Sequence, residues 1–576
     1  IFSGGNLQLL ADRFTNRLGD IYSFGDLLVA ADAQGTRAQK VENRSGSIES
    51  VGNLLFRTEE LVNTKDVFEL VRNQTYGDIR IHCYDCKGDH HIVDYIATER
   101  YETSITQDSP AGRIQSGGNL DIQASEVTNA YSQIFASEDL NIRANNLNNI
   151  GAETSTSERV RTFFTGRVTD GTERRFRYAH VIPYNMTGLN KELPSAMYRW
   201  GVTSDIETTS QKKIAAPALI QAGGVANIQA AQNISNATIL ERQGVDQGTA
   251  RSVDTAVVTG LDPLRVLNTN LPPELAQQAV NPIELPAFAL PAGKNGLFSL
   301  STNPAHPYLI ETNPAFANLG NFINSDYLLG QLGYSSDEMQ RRLGDGFYEQ
   351  RLIREAVIAR TGQRLLAGLN SDEAQYRYLM DNAVASKEAL NLSVGVALSA
   401  EQVAALTHDI VWMQEQEVQG QKVLVPVLYL AQASGRLAPN GALIQGRDLA
   451  LMSGRDLQSS GTLRASENLD VSARNIGNTG LVETSQRLQL LATGSIRNAK
   501  SGVITGNDVA LQAGTDIINE RSVQQEQREG RNFSSLNTVV GQASRIEATN
   551  DLSLVAGRDI RNLGSTLSAG GSAELN

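Results

Sequence analysis

Two cysteines, two tryptophans and six histidines are all that a chain of 576 residues holds of those types, and aromatic residues of every kind make up only 6% of it. So few large rings argue against one thick globular core. The apolar content is mostly Leu, Ile, Val and Ala, which suits a thin, repetitive aliphatic interior. No apolar run approaches the roughly 18 residues a membrane helix needs; the best candidate, VLVPVLYLAQA at 423–433, is short and broken by Pro426. No signal peptide is seen. The chain opens on Ile1 within a repeat and closes on GGSAELN at 570–576, the start of another, so it reads as a segment of a longer protein. The formal charge of −13 weighs weakly against nucleic acid or anionic membrane as the main partner.

Glycine, by contrast, is abundant, at 50 residues, and one thirteen-residue phrase recurs. It reads GGNLQLLADRFTN at 4–16, GGNLDIQASEVTN at 117–129, SEDLNIRANNLNN at 137–149 and SENLDVSARNIGN at 466–478. Within NLDIQA, Leu120, Ile122 and Ala124 share one face and Asp121 and Gln123 the other, the alternation of a half-buried strand. Equivalent residues Leu449, Leu469, Leu488 and Val509 lie 20, 19 and 21 apart. That period, with two or three short strands in each, predicts a parallel β-helix whose coils stack into aliphatic ladders. The closing Asn residues are expected at turns, where Asn tolerates left-handed backbone and bonds to its counterparts above and below. Some 15 coils at about 4.8 Å each would make a rod on the order of 70 Å long.

The expected fold is mainly β, a right-handed parallel β-helix with extra-helical insertions and a small α-helical domain. The β-helix covers 1–155, with an insertion at 60–105. An extra-helical β-hairpin insertion follows at 156–214, then coils at 215–245, a Pro-rich wrapped or linker segment at 246–320, a helical domain at 321–435, and β-helix again over 436–576.

The first insertion carries HCYDCKGDHH at 82–91. Cys83 and Cys86, beside His82, His90 and His91, have the spacing of half a zinc site, but a lone pair in a secreted protein is more often a disulfide. The disulfide is favoured, with metal binding and free thiols as alternatives. The second insertion reads as two strands around a turn at Asp170-Gly171. There Arg161, Arg167, Arg174 and Arg175 interleave with Phe163, Phe164, Phe176 and Tyr178. An aromatic-basic hairpin of this kind suits an anionic sugar, a nucleic acid or a receptor loop; the plainer alternative packs its aromatics on the rod and leaves its arginines in water. The Pro-rich 261–315 stretch is a second candidate for binding.

Further on, SSDE at 335–338 and SAEQ at 399–402 are capping boxes, and GDGFYEQRLIREAVIARTG at 344–362 is a helix bounded by glycines. Val403, Leu406, Ile410 and Met413 form an apolar stripe that predicts a last helix, and the helices of 322–417 are expected to pack as a small bundle. In its leading helix Phe347, Leu352 and Ile358 should be core, with Arg351 and Arg354 solvated; exposed Tyr348, Arg351 and Arg354 would be the alternative. An enzyme of the polysaccharide-degrading kind would need convergent carboxylates or a base–arginine pair on adjacent coils. The GRD triplets at 446–448, 454–456 and 557–559 sit at turns and read as turn chemistry. HExxH, GxSxG, a phosphate loop and a calcium nonapeptide repeat are all missing, so no catalytic residue, cofactor or resident metal is expected.

The repeats resemble the haemagglutinin repeats of the large two-partner-secretion exoproteins, the filamentous haemagglutinins and the contact-dependent growth inhibition effectors of the CdiA type. HPYLIETNP (306–314), SDYLL (325–329), RLGDGFYEQRLI (342–353), LTHDIVWMQEQEV (406–418) and VLVPVLYLA (423–431) resemble the block before that family's second repeat region, and CYDCKGDHHIVDY (83–95) a segment near the end of its first. The resemblance implies a non-enzymatic filament segment, secreted to the surface of a Gram-negative cell through a cognate outer-membrane secretion partner. It also implies a mid-filament region that binds an outer-membrane receptor or surface glycan on a neighbouring cell, ahead of toxin delivery; a filamentous adhesin is the alternative. The family's secretion domain and toxin are not among these residues. Its receptor contacts vary between members, so none is carried over.

Overall fold

The architecture below is that of a computed structural model. It describes the chain outside residues 188–191, 240–278, 286–287, 289, 292–296, 302, 314–321, 335–339, 362–364, 367–368, 370, 432–440 and 531–532. The repeats form a parallel β-helix. A coil takes three short strands, as in Ala442–Gly446, Asp448–Ser453 and Asp456–Ser459, and the next coil repeats them in Thr462–Ala465, Leu469–Ala473 and Asn475–Asn478. Leu449, Leu469, Leu488 and Val509 pair in register, as their spacing predicts. One face is a 12-stranded sheet, so the rod rises about 50 Å at the ordinary strand spacing, shorter than expected because the insertions take more of the chain. Along its inner side Ile21, Ile48, Ile114, Ile134, Ile220, Ile444, Leu463, Val482, Ile504 and Ile546 stand in one buried column.

At one corner runs a second column, of asparagines. Asn16, Asn43, Asn63, Asn129 and Asn149 each donate Nδ2 to the Oδ1 of the next, ending on Asn236, at 2.8–2.9 Å. The same amides also donate to main-chain carbonyls of the sheet face, as Asn129 does to Leu219 and Asn149 to Leu443. Ser459 takes one place in the column, and Asn478, Asn498, Asn519 and Asn562 continue it. The expected bonding of these Asn to their counterparts is found, while the expected left-handed backbone is not theirs. At these turns the left-handed non-glycine residues are Leu18, Ser45, Tyr131, Lys500 and Ser501, the first four of them two positions after Asn16, Asn43, Asn129 and Asn498. The Asn itself turns inward and satisfies the buried corner. Asn149→Ala removes donor and acceptor from a fully buried site, and we expect a loss of about 1–3 kcal/mol in equilibrium denaturation of the rod.

Insertions do not cost the rod a rung. Ser47–Ser50 stacks directly on Arg113–Ser116, and Leu219 pairs with Leu443 although the longest insertion separates them. That insertion folds as a mixed α/β module rather than a helical bundle. Its five-stranded sheet runs Phe298–Leu300, Tyr308–Thr312, Arg342–Gly344, Gln421–Tyr429, Ile410–Val418, so the described part of the Pro-rich stretch supplies two strands. Residues 240–245 of the expected coils, 246–278 of that stretch and the 335–338 capping box lie outside the described residues. The expected last helix is only Ala400–Ala404, begun by the Ser399/Gln402 capping box. The remainder is a hairpin, because the β-branched and aromatic run from Ile410 meets Gln419-Gly420, both at positive φ, a type I′ turn.

The helix Gly346–Thr361 lies between this sheet and the rod. Phe347 meets Tyr22 (ring centroids 5.5 Å), Arg351 faces Asp20 (3.6 Å), Arg354 faces Glu49 (3.7 Å), Arg113 of the rod reaches Glu355 (2.9 Å), and Ile358 packs on Leu219 and Leu443. A helix rises about 1.5 Å per residue and a rung about 4.8 Å, so roughly three helical residues pass each rung. The arginines expected in water are therefore covered: Arg354, 5% exposed, also pairs with Asp372 at 3.3 Å. Tyr348 is buried as well. On the helix's other side Glu349 accepts from Ser325 N and Oγ (both 2.7 Å) and Tyr376 Oη (3.0 Å), and burial pushes its carboxyl up to about 8. With the folded value above the ordinary 4.5, the folded chain holds this proton more tightly. The contribution to stability is full below about 4.5, shrinks as pH rises and is gone above about 8. Glu349→Gln, neutral throughout, is expected to gain on the wild type across that window in urea midpoints; a pH-independent difference would refute the assignment.

Candidate functional site

Residues 60–105 and 156–214, separate insertions in the sequence, meet in one lobe. Four antiparallel strands lie in the order Phe68–Asp85, His90–Asp108, Leu140–Thr169, Gly201–Ala216. The third begins as a rung of the rod, Leu140 beside Ala226, and runs on unbroken for 30 residues in all. One face is covered by a helical stretch from Asp170 to Thr187 and a short turn of helix at Ser195–Arg199. Between them lies a core that includes Tyr95, Phe163, Phe176, Tyr184, Met197 and Trp200.

The expected hairpin at Asp170-Gly171 is thus a helix start, and the returning strand is Gly201–Ala216. Thr169 caps the helix, its side chain accepting from Thr172 N at 3.3 Å, with Asp170 and Glu173 in the first turn. Glu173, Phe176, Val181 and Tyr184 are buried while Arg174, Arg175, Tyr178 and Met186 are exposed. That helical spacing was present in the sequence and was masked by the aromatic and basic composition.

The eight candidate binding residues separate into two groups. Arg161, Phe163 and Phe176 are structural. Arg161 is 6% exposed and bridges the buried Glu99 carboxylate and Tyr198 Oη, while Tyr101 Oη donates to Glu99 at 3.0 Å. Arg174 and Arg175 lie in water on the helix, Tyr178 is 66% exposed, and Arg167 is exposed near the tip, where Phe164 is half-buried. At that tip the structure joins Cys83 and Cys86 in a disulfide. Tyr84 packs edge-on against His82 (4.7 Å between centroids) and donates Oη to Asp94 at 2.7 Å.

Sequence reasoning missed the groups that fix the helix to the sheet. His91 sits between Asp170 (3.2 Å) and Glu173 (3.3 Å), and Tyr95 Oη donates to Glu173 at 3.1 Å. Burial and that carboxylate hold the Tyr95 phenol well above its ordinary value. No His, Cys, Asp or Glu cluster among the described residues is arranged to hold a metal ion.

A β-helix of stacked coils with a side lobe defines a β-helical repeat protein, and comparison gives the family. The haemagglutinin repeat matches residues 1–80, 104–160, 202–269, 421–528 and 527–576, so the chain belongs to the haemagglutinin repeat family. It is 29% identical over 649 residues to "Toxin CdiA" of Escherichia coli, covering 99% of this chain and 20% of that protein. It is 30% identical over 492 residues to "tRNA nuclease CdiA-2" of Burkholderia pseudomallei strain 1026b, covering 81% of this chain and 15% of that one. The chain thus spans about a fifth or less of the length of these relatives. No solved structure matches it. The repeats and these likenesses mark a secreted, cell-surface exoprotein of Gram-negative bacteria. No helix among the described residues is long and apolar enough to cross a membrane.

Because Arg161 neutralises a buried carboxylate, Arg161→Ala leaves Glu99 uncompensated. We expect a loss of about 3–5 kcal/mol confined to the lobe, read as early proteolysis there while the rod stays protected.

Proposed function

We propose that this chain is a non-enzymatic filament segment of a contact-dependent growth inhibition exoprotein: the β-helix is the stalk, and the lobe contacts a receptor on a neighbouring cell ahead of toxin delivery. The supporting observation is that two insertions separate in sequence build one lobe beside the rod, with arginine and tyrosine on its outer face. The relatives' names, toxin and tRNA nuclease, fit such a delivery system. Export through a cognate outer-membrane partner belongs to the same reading. A non-enzymatic role for these residues is supported by the GRD triplets, whose charges pair at the coil corners: Arg447 with Asp448 at 3.1 Å, Arg474 with Asp456 at 3.1 Å, and Arg558 with Asp516.

The test is saturable binding of the purified chain to intact Gram-negative cells. Residues 67–108 and 154–215 can be replaced by short Gly/Ser links, because Lys65 pairs with Asp108 and Glu153 lies opposite Ile214, so the cut ends adjoin. Binding is expected to fall more than about tenfold with the rod intact. Equal binding by the lobe-free chain would move recognition elsewhere on the filament.

A further inference from the structure

We infer that the outer face of the lobe's helix, centred on Arg175 and Tyr178, docks an acidic loop of a protein partner. This rests on the reading of the lobe as the receptor-contact body. The chain as a whole is acidic, net −13, yet residues 158–200 hold eight Lys and Arg against four Asp and Glu. The lobe as a whole is balanced, residues 67–108 and 154–215 together holding fourteen Lys and Arg and fourteen Asp and Glu, so the positive excess is local to 158–200, the segment that includes the helix.

Within it the helix buries Glu173, Phe176, Val181 and Tyr184 against the sheet and turns Arg174, Arg175, Tyr178 and Met186 outward, with Tyr178 66% and Met186 80% exposed. Arg175 and Tyr178 are three apart and Arg174 and Tyr178 four apart, so the three side chains are neighbours on one surface. Arg, Tyr and Met are the side chains enriched at the centres of protein interfaces, whereas an isolated exposed Met on a helix is a poor match to solvent. Two of the arginines already have intramolecular partners, Arg174 with Asp170 at 2.8 Å and Arg177 with Glu173 at 3.7 Å. Arg175 donates Nε to the Gly171 carbonyl at 3.1 Å and makes no ion pair among the described residues. The face is thus modestly basic and partly apolar. It fits one or two carboxylates flanked by apolar side chains better than a dense polyanion, which would need a longer run of unpaired cations.

The experiment uses the full chain and intact Gram-negative cells as the probe, with cells shaved by protease as a second arm. Arg175→Glu and Tyr178→Ala change exposed side chains outside the lobe core, and protease resistance of the purified chain checks that each folds. The expected result is a loss of about tenfold or more in affinity for each near 0.1 M salt, near-wild-type binding for Arg175→Lys, and progressive loss of wild-type binding as salt screens the pair. Shaved cells should bind little. If Arg175→Glu and Tyr178→Ala bind as tightly as the wild type while the lobe-free chain does not bind, the docking face is wrong and the lobe reading stands. If the lobe-free chain binds normally, the lobe reading itself fails. Undiminished binding to shaved cells would make the partner something other than protein and overturn the inference.

Discussion

Register is the constraint on which the rest of the molecule depends. Each coil buries its aliphatic side only by placing it over the same residue of the coil beneath, so a one-residue slip would turn the inward isoleucine column outward. The asparagine column penalises such a slip further. Each amide donates to the next asparagine and to a sheet carbonyl, and a shifted coil would strand both in a dry corner, where an unmade hydrogen bond costs far more than a made one contributes. The apolar column drives stacking, while the polar column selects which stacking is allowed.

That division explains how the rod carries so much extra chain. Insertions leave just past the asparagine corner, the first after Thr64 and the second where the Leu140 strand runs on beyond Asn149, and the ladders close above them as if nothing intervened. The α/β module goes further and uses the rod as a support. Its central helix meets successive rungs because three helical residues advance about as far as one coil. Alternating charges, Arg351 and Arg354 on the helix and Asp20 and Glu49 on the rod, set where along the axis it sits. Buried pairs of this kind add little net stability and chiefly exclude other placements.

What could be read in the sequence follows the range of the interactions. The coils were legible because their signal is local and repeated: alternation within six residues and equivalent leucines about twenty apart. The helix from Gly346 and the Ser399 cap were legible for the same reason. The burial of Arg354 was not, since it depends on Glu49, a residue some three hundred positions away on the rod. In the lobe, Arg161 and Arg175 look alike in sequence, yet one neutralises Glu99 inside the body and the other faces water. Their difference lies in the strand bearing Glu99, which the sequence places in another insertion. The helix at Asp170 was a different kind of failure. Its cap and its buried spacing were present, but Asp-Gly between strand-like runs is also a hairpin signal, and only the packing of Phe176 on Tyr95 and Trp200 decides between them.

The way the lobe joins the rod bears on how it presents its surface. A domain tethered by a linker samples many orientations, and ordering it costs binding free energy. Here the strand from Leu140 is a rung at its start and lobe at its end, and it pairs with its neighbours over most of its length. Tilting the lobe would require breaking backbone pairs where the strand leaves the rod, so the helix carrying Arg175 and Tyr178 keeps a fixed bearing to the filament axis. On the proposed reading of the lobe, the register that stacks the coils therefore also aims the contact surface, and a change that loosened the coils around Leu140 is expected to weaken binding without touching a single exposed side chain.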